Sequence, residues 1–107
     1  MSEFDKRRQG AESKFALDAE MKFKATARRN KLLGLWAAEK MGITGEAAEA
    51  YAREVIKADL EEVGDEDLFR KLRQDFDARG VALSDHQIRR EIEEQMQTAL
   101  DQIKAGN

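Results

Sequence analysis

The chain has no cysteine, no proline and a single histidine. Without cysteine there are no disulfides and no thiolate metal sites, and a reducing compartment fits. One histidine alone leaves no recognisable transition-metal ligand set, so neither metal nor cofactor is expected. No stretch approaches the roughly 20 apolar residues that a membrane-spanning helix needs. The opening MSEFDKRRQGAESKF also lacks the apolar run of a secretory signal. A soluble, intracellular protein is expected. The glycines at 10, 34, 42, 45, 64, 80 and 106 are scattered, so no Gly-rich phosphate loop exists. No nucleophile–base pair can be named, and an enzyme is not expected.

What is present favours helices. The sequence has 107 residues, 41% hydrophobic and 38% charged, which suits one small domain with a thin core margin. Ala, Glu, Lys, Arg, Leu and Gln dominate, and these are the strong helix formers. The net charge of −3 conceals an asymmetry: residues 1–31 hold nine Lys/Arg against five Asp/Glu, and residues 32–107 hold ten against seventeen. A basic arm on an acidic body points to an acidic partner surface for the arm, or simply to a solvated basic face. Nucleic acid is disfavoured, because phosphates repel an acidic chain. A basic helix lying on a membrane is disfavoured by Asp18 and Glu20, which interrupt the basic face.

Residues 1–11 carry Phe4 as the only large apolar group beyond the initiator Met. Such a segment buries too little to offset its ordering entropy, and is expected to be flexible alone. From about Glu12, Phe15, Ala19, Phe23 and Ala27 recur every fourth residue and define one face of a helix. Leu32, Leu33, Leu35 and Trp36 widen its stripe, and Met41-Gly42 ends it. Gly34 in its interior marks close approach of another helix. Thr44 reads as the N-cap of a second helix from Glu46 to about Glu62, with Ala48, Tyr51, Ala52, Val55 and Ile56 on its apolar face. Val63-Gly64 breaks it. Asp65 then caps a short helix with Leu68, Phe69, Leu72 and Phe76 inward, ending at Arg79-Gly80. Ser84 and Gln87 form a capping box for the last helix, whose stripe is Ile88, Ile92, Met96, Ala99, Leu100 and Ile103. Four such stripes pack most economically as a small all-α four-helix bundle.

Polar clusters yield no specific chemistry. His86 reads as a surface residue. The acidic patch Asp59, Glu61, Glu62, Asp65, Glu66 and Asp67 lacks calcium-loop spacing and is explained by helix-start chemistry. Arg28 and Arg29 could contact a nucleotide phosphate, although a solvated basic face is the commoner meaning. Trp36 and Tyr51 read as packing residues.

The run FALDAEMKFKATARRNKLLGLWAAEKMG (15–42), followed by EAYAREVIKADLEEVGDEDLFRKL (49–72), resembles the zeta subunit family of alphaproteobacterial F-type ATP synthases. The resemblance covers essentially the whole chain, including FDKRRQGAESKF and the Ile-rich last helix. It implies a four-helix protein that inhibits ATP hydrolysis. Its mobile N-terminal segment would become helical inside a catalytic interface of the ATPase head, formed by alpha, beta and gamma subunits. It implies an inhibitory segment at residues 1–18, or about Ser2 to Ala19, and a four-helix body at 19–107. The family pattern is matched by Phe4, Arg7, Arg8, Ala11 and Phe15, with Lys6 as a further cation of the segment. The expected protein is a monomer when free, cytoplasmic, and held at the inner face of the membrane through the synthase. The body would act as an anchor that raises the local concentration of the segment. A helical adaptor, or a weak adenine-nucleotide module without inhibitory activity, is the alternative.

Overall fold

Helix-forming composition, glycine stops and one capping box set the architecture. The computed structural model has four α-helices: α1 (Glu3–Lys40), α2 (Gly45–Asp59), α3 (Glu66–Ala78) and α4 (Asp85–Lys104). It describes residues 3–60 and 64–106, with side chains from Ala19 onward. No strand occurs among the described residues. α1 packs along α2 and α4, and α3 leans on the same two helices. The core joins Leu33, Ala37 and Ala38 of α1 to Val55 of α2, to Leu68, Leu72 and Phe76 of α3, and to Ile88 and Ile92 of α4. Trp36 meets Phe76 edge-on, with ring centroids 5.6 Å apart and planes at 89°.

The helix ends follow local chemistry. Gly42 adopts φ +75°, which glycine reaches without a Cβ penalty. The Ile43 N–H then donates to the Ala38 carbonyl at 2.8 Å, and the Gly42 N–H to the Glu39 carbonyl at 3.1 Å. These two bonds satisfy carbonyls that the end of α1 would otherwise leave orphaned. α3 closes the same way, with the Val81 N–H donating to the Phe76 carbonyl at 2.9 Å. At α4, the Ser84 hydroxyl accepts from the Gln87 N–H at 3.1 Å. The Gln87 side chain accepts in return from the Ser84 N–H at 2.8 Å, completing the expected capping box. Thr44 and Asp65 occupy the expected N-cap positions, but neither side chain makes a cap hydrogen bond. The Asp65 carboxylate is instead engaged by Arg29 at 3.1 Å. α2 ends at Asp59, earlier than the sequence pattern indicated, and Val63 lies outside the described residues.

At Gly34, α1 and α2 approach closely. A Cβ built there would lie 2.6 Å from the Ala52 Cα and 3.1 Å from its Cβ. On an exposed helix, Gly→Ala stabilises by about 1 kcal/mol. Here backbone stands in the way, so the helices must part. Gly34→Ala is expected to lower stability by about 1–3 kcal/mol. Urea denaturation with an unchanged slope checks the sign.

One expectation about α1 is corrected. Ala19, Phe23 and Ala27 do not face the core; all three are exposed, Phe23 by 74%. The buried row is Ala25, Arg29, Leu33 and Ala37, joined by Asn30 and Ala38. Members of the two rows sit two residues apart, about 200° around the helix at 3.6 residues per turn. The fourfold apolar row therefore points outward, and continues to exposed Lys31. α1 also begins at Glu3, before the apolar period starts.

Candidate functional site

The candidate inhibitory residues Phe4, Lys6, Arg7, Arg8, Ala11 and Phe15 lie outside the residues whose side chains are described. The part of the site with known geometry begins at Ala19, where α1 enters the body.

Arg29 is the pivot of that entry. Its position in the buried row forces a guanidinium into the interior, where an isolated charge is strongly disfavoured. The residue is only 3% exposed, as is Asn30 beside it. Partners come from the end of α2 and the start of α3. Arg29 Nη2 lies 3.4 Å from Asp59 Oδ2 and 3.1 Å from Asp65 Oδ1. Arg29 Nε donates to Asn30 Oδ1 at 3.1 Å, and Asn30 Nδ2 donates to Asp59 Oδ2 at 2.8 Å. No buried side-chain polar atom among the described residues lacks a partner. The planar fork of arginine reaches two carboxylates and an amide at once, which a lysine ammonium does not reproduce. This cluster ties α1 to the turn between α2 and α3.

The acidic patch thus has assigned work. Asp59 and Asp65 hold Arg29, and Glu66 pairs with Arg89 of α4 at 2.9 Å. The Arg89 hydrogen bond keeps the Glu66 carboxyl below its ordinary range. A lowered carboxylate contributes stability above its unfolded value and loses it as pH falls through the folded one. The contribution is small, because both groups are exposed. Arg89 also stacks over Phe69, 4.0 Å from the ring centroid.

Between α2 and α3, the Tyr51 hydroxyl donates to Asp75 Oδ2 at 2.7 Å. Lys71 Nζ lies 3.0 Å from the same oxygen and 5.2 Å above the Tyr51 ring. Burial first, and the Asp75 hydrogen bond second, push the phenol upward. It therefore remains a donor and serves as a packing residue with a satisfied tip, as Trp36 serves against Phe76. His86 is exposed.

Arg28 and Arg29, paired by the sequence as a nucleotide contact, part company. Arg29 is turned inward, and a phosphate reaches it only by displacing Asp59 or Asp65. Arg28 lies on the rim of an open groove with Lys24 and Lys31. Sequence reasoning missed both the buried cluster and the outward Phe23. The signal was present: counting back by four from Leu33 reaches Arg29, then Ala25, and not Phe23.

Comparison with known proteins assigns the lineage of this arrangement. The family model described as ATPase inhibitor subunit zeta matches residues 1–102. A protein whose structure was solved by NMR in solution is 46% identical, with a TM-score of 0.72, covering 81% of this chain and 99% of its own. No curated protein matches. No helix among the described residues is long and apolar enough to cross a membrane.

Proposed function

The chain belongs to the ATPase inhibitor subunit zeta family, and we propose that it restrains ATP hydrolysis by F-type ATP synthase, inserting residues 1–18 into a catalytic interface of the ATPase head. The observation that carries this reading is the extent of the family match, which spans the N-terminal segment as well as the body. In this reading the segment is wedged between alpha and beta subunits and against gamma, and it jams rotation in the hydrolytic direction. The protein is a regulator, not a catalyst. It works at the inner face of the membrane, where the synthase is anchored.

Two physical features support the mechanism. α1 is continuous from the segment into the body, so helical order propagates from an anchored end and needs no new nucleus. The Arg29 cluster and the Gly34 contact hold that end in place. Ordering entropy would be offset by burial of Phe4 and Phe15, and by ion pairs from Lys6, Arg7 and Arg8.

Deleting residues 1–18 is expected to abolish inhibition while leaving the helical signal of the body. The check is ATP hydrolysis by the cognate enzyme with full-length and truncated protein. Equal inhibition by both would refute the assignment of the segment. The adaptor alternative forecasts binding that survives the deletion, with turnover unaffected by either form. The nucleotide alternative is weakened by the engagement of Arg29 with Asp59 and Asp65.

A further inference from the structure

The outward row of α1 leads into a groove that the inhibitory reading leaves unassigned. Phe23 of α1, Ile56 of α2 and Ile103 of α4 form its apolar part, and Lys24, Arg28 and Lys31 stand along one side. Its volume is about 680 Å³, and it is open to solvent. Phe23 is 74% exposed, a large aromatic surface left in water. Among the described residues no carboxylate lines the groove, although the chain carries 22 Asp/Glu against 19 Lys/Arg. Glu20 reaches Lys24 at 3.3 Å, both groups being exposed. Arg28 and Lys31 pair with no described residue.

We propose that this groove docks an acidic amphipathic helix on the outer surface of the ATPase head, a proposal that rests on the inhibitory reading above. Three properties select that occupant. An apolar strip between helices fits the apolar face of another helix. A rim of Lys24, Arg28 and Lys31 favours acidic residues on the helix flank and steers encounter. The row Phe15, Ala19, Phe23, Ala27 runs unbroken along α1, so the groove lies on the same line as the inserted segment. The body is thereby a second, charge-guided contact: it captures the head first and holds residues 1–18 at high effective concentration.

The test uses full-length protein and inhibitor-free ATPase head, following the onset and depth of inhibition. Arg28→Glu with Lys31→Glu is expected to slow association about 10-fold or more at low salt, converging on wild type near 0.3 M salt. Phe23→Ala is expected to weaken inhibition about 5–10-fold, mainly through faster release. Ile103→Glu alters the groove without touching α1, and is expected to weaken inhibition to a similar degree. Circular dichroism checks that each variant keeps the bundle. Folded variants with wild-type kinetics, beside a wild type that inhibits, overturn the groove and leave the inhibitory reading standing. A wild type that does not inhibit overturns both. A photo-crosslinker in place of Phe23 should join a carboxylate-rich helix of the head. Attachment to a second copy of the chain, with self-association lost in the charge-reversed variant, overturns the proposed occupant.

Discussion

Replacing Arg29 by methionine is expected to destabilise the protein by about 3–5 kcal/mol, close to half the total stability of many small domains. The reason is what remains. Asp59 is 9% exposed and, among the described residues, would keep only the Asn30 amide at 2.8 Å. Asp65 is half in solvent and can rehydrate, so the loss centres on Asp59. Arg29→Lys is expected to recover only part of it, since one ammonium does not span two carboxylates and the amide. The diagnostic variant is Arg29→Met with Asp59→Leu, which removes both buried charges and should regain most of the lost stability. A double-mutant cycle in urea measures the coupling. A single-variant loss below about 1 kcal/mol would show the cluster to be effectively solvated. The consequence for inhibition is indirect: at temperatures where the variant stays folded, the segment should still act.

The same cluster explains where the sequence was legible and where it was not. α3 and α4 read correctly because their buried rows are wholly apolar: Leu68, Phe69, Leu72 and Phe76, then Ile88, Ile92 and Ala99. Their amphipathic pattern records the packing directly. α1 misleads because its buried row contains Arg29 and Asn30, while its exposed row contains Phe23. Apolar counting then selects the wrong face before Leu33. Polar residues enter a core only with partners, and those partners of Arg29 lie far downstream, at Asp59 (30 positions on) and Asp65. Spacing within one helix carries no record of such a pairing. Gly34 was readable as a close approach because glycine inside a helix has few other uses. Asp65 takes its N-cap position but spends its side chain on Arg29, because an acid at the start of α3 satisfies two rules at once. A carboxylate there suits a helix N-terminus, and the same carboxylate suits a buried guanidinium nearby. For the candidate site, the segment was found through resemblance, whereas the groove depends on which way Phe23 points.

Phe76→Ala is expected to cost about 3–5 kcal/mol, comparable with the Arg29 change but acting through volume. Phe76 has no exposed surface, and its ring stands perpendicular to that of Trp36, with centroids 5.6 Å apart. That contact links α3 to α1, two helices joined otherwise mainly through α2 and α4. Truncation removes the ring and strands the indole against a void too apolar to hold water. For a chain of this length, each kcal/mol moves the melting point by about 4–8 °C, so a drop of roughly 12–40 °C is expected. Trp36 is the only tryptophan, so its emission reports the site directly. Because that void stays dry, the folded Phe76→Ala protein should keep its emission wavelength and lose emission anisotropy as the indole gains room. Phe76→Leu fills most of the space and should lose less than half as much stability, and it guards against the alanine variant failing to fold. If alanine and leucine were equally tolerated, α3 would be held by its seams with α2 and α4 alone. The aromatic pair would then be incidental. Otherwise, the two anchors of α1 act on different partners: Arg29 holds it to the turn before α3, and Trp36 holds it to α3 itself. Losing either should loosen the body end of the helix that carries the inhibitory segment.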